Sequence, residues 1–200
     1  MAVITISRQI GAGGWTLGQR LARRLGYRYV DERMIKEVAD KIGVTPEHVQ
    51  AFEKEGKSKL NKILDMVVSR NFIDRQYGFM DERRYVDVVR AIIRGLYEQG
   101  NVVIVGRGGQ YILKGSPNLW RLLLVDDLTN RIRFITNSYK MTDAEAEDFI
   151  KNRDRIRTNF LSFFADKSSH DDPRSYDLAL NMENIDMGKA ERLVLDLIAS

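Results

Sequence analysis

The 200-residue sequence contains no cysteine, two histidines and three prolines. Without thiols there is no disulfide framework, no thiolate zinc site, no iron–sulfur cluster and no cysteine nucleophile. With only His48 and His170 as imidazoles, a metal would be held mainly by oxygen, which favours magnesium or calcium over zinc. Long apolar runs are missing too: the longest, around residues 102–105 and 119–125, fall far short of the roughly 20 residues that a membrane helix needs. The first residues lead directly into a glycine-rich turn, without the basic start and apolar stretch of a secretory signal, so a cytoplasmic protein is expected. Charge of one sign is scarce as well. The 32 basic side chains face 28 acidic ones, and the small excess is spread along the chain, so neither a nucleic-acid polymer nor a membrane is the expected partner.

What remains is an ordinary globular composition, 44% apolar and 30% charged, in a chain long enough for one substantial core. A single domain spanning residues 1–200 is expected. Ala2 to Ile6 is rich in β-branched residues and ends at a glycine cluster, after which Leu17, Leu21, Ala22 and Leu25 recur at helical spacing. Gly26 supplies a stop, and Tyr27 to Val30 forms a second strand running into Asp31 and a helix carrying Met34, Ile35, Val38 and Ile42. Residues 45–99 contain no strand pattern and read as a helical insertion, with a helix start at Thr45-Pro46-Glu47 and apolar stripes at residues 60–67 and 86–96. Val102 to Val105 and Trp120 to Val125 have the continuous apolar character of strands buried on both faces. Helices are predicted from Leu128 to Tyr139 and from Thr142 to about Phe164, the latter opened by a Thr142/Glu145 capping box. A polar, mobile loop at Ala165 to Ser175, a last strand at Tyr176 to Asn181 and a helix from Met187 to Ile198 complete the chain. Alternation of this kind predicts a parallel sheet of about five strands with helices on both faces.

In such a sheet ligands bind beyond the carboxyl ends of the strands. The loop after the first strand reads Gly11-Ala12-Gly13-Gly14 and opens a helix near Trp15. Successive glycines let backbone N–H groups converge on an anion, and the helix start adds its positive dipole end, so a phosphate is the natural occupant. The alternative is a tight turn that simply needs positive φ. Thr16, in the first helical turn, can offer a hydroxyl to magnesium carried by a nucleotide. Against the pattern G-x-x-x-x-G-K-[ST], Gly14 stands at the lysine position and Arg8 at the first glycine.

With these residues in view, the chain resembles the cytidylate kinase-like family, a divergent branch of the P-loop nucleoside monophosphate kinases. Ile4-Thr5-Ile6-Ser7-Arg8-Gln9 followed by Gly11-Ala12-Gly13-Gly14 is similar to that branch's altered phosphate loop. Tyr29-Val30-Asp31 matches the start of its monophosphate-binding region, and Val103-Ile104-Val105-Gly106-Arg107-Gly108 resembles the segment reading G-R-D in ordinary cytidylate kinases. Asp154 with Arg157 resembles the D-x-x-R of a lid helix, and Tyr176-Asp177-Leu178 with Asn181 the last strand. The resemblance implies a three-layer P-loop fold with a helical insertion at about 45–99 and a lid at about 142–175. It also implies transfer of the ATP γ-phosphoryl group to CMP or dCMP with magnesium. The departures are the missing loop lysine, Gly108 in place of an acid, and a lid with fewer arginines. A nucleotide-binding sensor or partner-binding module, and a kinase for another small phosphate acceptor, are the alternatives.

Phosphoryl transfer depends on cations around the migrating group and on in-line placement of donor and acceptor. The expected nucleotide cradle is Arg8, Gln9, Gly11, Ala12, Gly13, Gly14, Trp15 and Thr16. Arg8 either bridges donor phosphates in place of the lysine or pairs with a surface acid. Arg153 and Arg157, one helical turn apart, either reach the site from the lid or form a solvated face in which Asp154 pairs Arg157. Arg107, flanked by glycines after a buried strand, is expected at the acceptor phosphate, or else capping nearby carbonyls. Asp154 is expected at the acceptor on the strength of the resemblance. Asp31 either orders the acceptor site or caps the following helix, and capping is the favoured role of Asp126 and Asp127 over magnesium binding. The helical insertion could also form a dimer surface.

Overall fold

A computed structural model describes residues 2–42, 82–166 and 169–199. Most of the expected helical insertion, including His48 and the stripe at residues 60–67, lies outside the described residues. The first strand, β1 (Val3–Arg8), is buried along five of its six residues. It is followed by α1 (Gly14–Leu25), β2 (Arg28–Asp31), α2 (Glu32–Ile42), α3 (Glu82–Gln99), β3 (Val102–Val105), a single turn α4 (Gly109–Ile112), β4 (Leu119–Val125), α5 (Leu128–Tyr139), α6 (Asp143–Ser162), β5 (Leu178–Asn181) and α7 (Met187–Ala199). All strand pairs are parallel, in the order β2-β3-β1-β4-β5.

Two apolar layers flank the sheet and explain the sequence pattern. Ile4, Ile6, Val103, Val105, Leu122 and Leu124 face Leu17 and Leu21 of α1 and Val194 of α7. Val3, Val30 and Ile104 face Ile35 and Val38 of α2 and Val89, Ile92 and Ile93 of α3. Because successive strand residues point to opposite faces, strands covered on both sides must be apolar throughout, as β3 is. A third, smaller cluster of Ile135, Ala146 and Ile150 joins α5 to α6.

Element boundaries follow local chemistry. Gly26, at φ 67°, ends α1 and bonds its N–H to the Ala22 carbonyl. Thr142 and Glu145 make the expected reciprocal capping box at α6. The last strand begins at Leu178 rather than Tyr176, because a 3-10 turn at Pro173–Ser175 precedes it and the Tyr176 hydroxyl is drawn to the His170 carbonyl, 2.6 Å away. The polar loop before it is tied down at residues 169–175: His170 is buried, with Nδ1 3.0 Å from the Tyr111 hydroxyl. The short α4 is not expected from the sequence, because four residues are too few to carry a periodic signal.

The register brings the carboxyl ends of β1, β2 and β3 to one edge, with Ile6 beside Val105 and Val105 beside Asp31. Since β2 and β4 lie on opposite sides of β1, the chain's direction of travel across the sheet reverses at this strand. That switch point is where α/β sheets open a crevice.

Candidate active site

The glycine turn lies at this edge. Gly11 and Gly13 have φ of 87° and 81°, and Gly13 is the N-cap of α1 with no side chain capping the first turn. A Cβ at Gly13 would come within 2.6 Å of Met187, and one at Gly11 would press on the backbone of Arg131. Positive φ therefore calls for glycine at both positions, while the Met187 methyl group could move aside, and the geometry serves a tight turn and a phosphate cradle alike.

Arg8 accounts for the unusual lettering of the loop. Its stem crosses Gly14, where an added Cβ would lie 2.8 Å from both Cβ and Cγ of Arg8. Its guanidinium crosses Gly106, where a Cβ would lie 2.6 Å from Nη1, and its Nη2 reaches Glu32 Oε2 at 3.3 Å. The space in which a side chain at position 14 would begin is thus filled by Arg8. Burial pushes the Arg8 guanidinium below its ordinary value, while the neighbouring Glu32 carboxylate pulls the other way.

Arg107 sits in a run of three left-handed residues, with φ of 84° at Gly106, 56° at Arg107 and 74° at Gly108. A non-glycine residue in that region stores strain of order 1 kcal/mol, which the surroundings must enforce. Here they do: the guanidinium lies over the rings of Phe160 (4.7 Å) and Tyr85 (5.5 Å) and pairs with the second oxygen of Glu32. Gly108, where the resemblance leads one to look for an acid, makes room for Phe164, whose ring a Cβ would meet at 2.7 Å.

From α6, Arg157 extends to the end of β1, donating to Ser7 Oγ at 2.9 Å and to Asp171 at 2.6 Å. Asp171 also accepts from Gln9 Nε2 (3.0 Å), and the Gln9 side-chain oxygen takes the backbone N–H of Asp126 (3.2 Å). Arg8, Arg107, Arg153, Asp154 and Arg157 line one cleft with Ser7, Glu32 and Phe160, of about 630 Å³ including its open mouth.

Asp154 and Arg153 of the cleft, and the candidates outside it, make further contacts. Asp31 accepts from Trp15 Nε1 (2.7 Å), Tyr29 (3.2 Å) and the Met34 N–H (3.1 Å), so its carboxylate caps α2 and ties α1 to β2. Asp154 does not pair Arg157; it pairs Arg131 and lies 3.5 Å from the Ile10 N–H. Arg153 lies over the Phe149 ring at 5.7 Å. Asp127 caps α5 through the Thr129 N–H, and Asp126 holds Asn130. Thr16 is exposed on α1, and among the described residues no cluster of three acidic or imidazole side chains is placed to hold a metal. No helix among the described residues is long and apolar enough to cross a membrane.

Sequence reasoning missed Glu32, Arg131 and Asp171. Glu32 follows the strand-ending Asp31 and was open to the same argument. Arg131 is 5% exposed; its Nε donates to the Ile10 carbonyl at 2.7 Å while its Nη2 holds Asp154. It thereby joins the glycine turn, α5 and α6, and its only sequence trace is its place one helical turn before the buried Ile135.

The sequence profile of the cytidylate kinase-like family matches residues 3–184. The chain belongs to the cytidylate kinase-like family. Among solved structures, an uncharacterized protein from Eubacterium ventriosum is 20% identical with a TM-score of 0.71, covering 100% of this chain and 99% of that one. A shikimate kinase from Bacteroides thetaiotaomicron is 16% identical with a TM-score of 0.54 (100% and 99% covered), and a gluconokinase from Sinorhizobium meliloti 14% with 0.51 (99% and 91%). These likenesses bear on the fold, a three-layer α/β P-loop kinase arrangement. Among curated protein sequences none matches this chain. Family and fold together support a phosphotransferase of the nucleotide-kinase kind.

Proposed function

We propose that this protein transfers the γ-phosphoryl group of ATP to a nucleoside monophosphate, with CMP or dCMP as the acceptor. The observation that carries the reading is the convergence of Arg8, Arg107, Arg153 and Arg157 on one cleft beside an uncapped, glycine-built helix start. The first turn of α1 suits donor phosphates, because its glycines leave no side chain over the N–H groups. Magnesium arriving with the nucleotide would neutralise phosphate charge and find the exposed Thr16 hydroxyl in that turn. Arg8, running from Gly14 across Gly106, stands between the donor side and the cleft and replaces the loop lysine as a charge. Arg107 takes the acceptor phosphate, and Arg157, already at the end of β1, places a lid cation at the migrating group. With no protein nucleophile required, catalysis consists of positioning and charge stabilisation.

The test is a panel of nucleoside monophosphates with ATP and magnesium, following ADP and diphosphate formation. CMP or dCMP turnover, lost at least about 100-fold in Arg157→Ala, is the expected result. ATP binding without turnover on any acceptor overturns the reading in favour of a nucleotide sensor.

A further inference from the structure

Glu32 is the carboxylate on which two of the cleft's arginines meet. Its Oε2 receives Arg8 and its Oε1 receives Arg107, so each oxygen satisfies one guanidinium, as two oxygens of a phosphate group would. The neighbouring carboxylates have other duties: Asp31 caps α2, Asp154 holds Arg131, and Asp171 holds Arg157 and Gln9. The two sides of the Glu32 cluster also differ in freedom. Arg8 lies against the backbones of Gly14 and Gly106, and the Arg107 guanidinium rests on the paired rings of Phe160 and Tyr85. Their side chains are 21% and 14% exposed, whereas that of Glu32 is 39% exposed and needs only a rotamer change to reach water. The cations are fixed and the anion is removable.

We propose that Glu32 is the resident counter-anion of the acceptor cleft, holding Arg8 and Arg107 until the phosphate of an arriving acceptor takes its place. The inference rests on the proposed reading of this cleft as a phosphate-acceptor site, and it deepens that reading by naming what the acceptor displaces. A phosphate dianion carries more charge and more acceptor oxygens than one carboxylate, so it wins the exchange, and Glu32 turns outward. A positioning role of this kind gives an unusual sign: removing the residue strengthens binding.

The test is calorimetric titration of inorganic phosphate into the full-length wild type, Glu32→Gln and Glu32→Asp at fixed ionic strength. Two partly exposed charge pairs predict about tenfold tighter phosphate binding for Glu32→Gln, with Glu32→Asp close to wild type. Arg107→Ala should abolish the gain, which locates it in this cleft. Where an acceptor is turned over, its KM should fall in Glu32→Gln. Unchanged or weaker phosphate binding in Glu32→Gln, or binding to none of the variants, overturns the proposal. Misfolding cannot imitate tightening. If phosphate binds tighter yet no nucleotide is phosphorylated, the counter-anion role stands and the kinase reading fails.

Discussion

Replacing Gly14 by alanine should destabilise this protein in its native background and stabilise it when Arg8 is glycine. Gly14 opens α1 with helical backbone, so alanine there brings no φ strain and reduces the entropy lost on folding, a gain of about 0.5–1 kcal/mol. Against this, the new Cβ would lie 2.8 Å from Cβ and Cγ of Arg8. Rotation about χ1 can move Cγ but not Cβ, which is fixed to the backbone, so relief requires the β1 backbone to shift, and overpacking of this kind costs about 1–3 kcal/mol. Arg8→Gly removes both atoms. The double-mutant cycle should therefore show a coupling of about 1–3 kcal/mol between positions 8 and 14. For a chain of this size each kcal/mol moves the melting temperature by about 2–4 °C, within reach of thermal or urea unfolding on the four proteins. Additive effects, or stabilisation by alanine in both backgrounds, would refute the claim that Arg8 fills the space of a side chain at 14. By the same logic, lysine at 14 becomes tolerable only alongside Arg8→Gly.

Arg131→Ala removes a buried guanidinium, leaves the Ile10 carbonyl and the partly exposed Asp154 without their main partner, and should cost about 1–3 kcal/mol, read as a fall in melting temperature together with weaker ATP binding. Lysine at 131 should restore less than half of this, since it cannot fork between the two acceptors as arginine does. At the other end of the sheet, burial raises the Asp177 carboxyl, but hydrogen bonds from the Arg121 side chain and backbone outweigh this and hold it below its ordinary value of 3.8. A carboxyl lowered in the folded state stabilises fully above that ordinary value and loses its contribution as pH falls through the folded one. Urea midpoints below about pH 4 should therefore fall less steeply with acid in Asp177→Asn than in the wild type.

The five strands and their order of appearance were legible because buried parallel strands must be apolar on both faces, and β3 and β4 are too short for core helices and too apolar for surface loops. Arg8 and Arg107 were legible as cations at strand ends, and Arg157 by its one-turn spacing to Arg153 and its resemblance to the D-x-x-R of a lid helix. Their partners were not, since ion-pair identity depends on which elements meet. Arg157 finds Asp171 across a loop rather than Asp154 on its own helix, because the Asp154 carboxylate is already taken by Arg131 of α5. Asp31 looked equally suited to two roles by sequence, and the presence of Trp15 and Tyr29 on its oxygens could come only from packing.

Two of the three departures from the family pattern, those at positions 14 and 108, have the same physical form. At position 14 a lysine is missing and Arg8 occupies the space; at position 108 an acid is missing and Phe164 occupies the space. In each case the glycine is required by a side chain arriving from elsewhere in the fold. On the proposed reading, the cation that a lysine at position 14 would supply comes from Arg8, whose stem passes 2.8 Å from where a Cβ at 14 would stand. At position 108 the ring of Phe164 fills the space, and the carboxylate paired with Arg107 is Glu32, on a different element. On the proposed reading, phosphate is still met by arginines, whereas no acid at position 108 is there to contact the rest of the acceptor. The acceptor's phosphate should therefore be held more stringently than its base, and KM should vary less across nucleoside monophosphates than between any of them and the corresponding nucleosides.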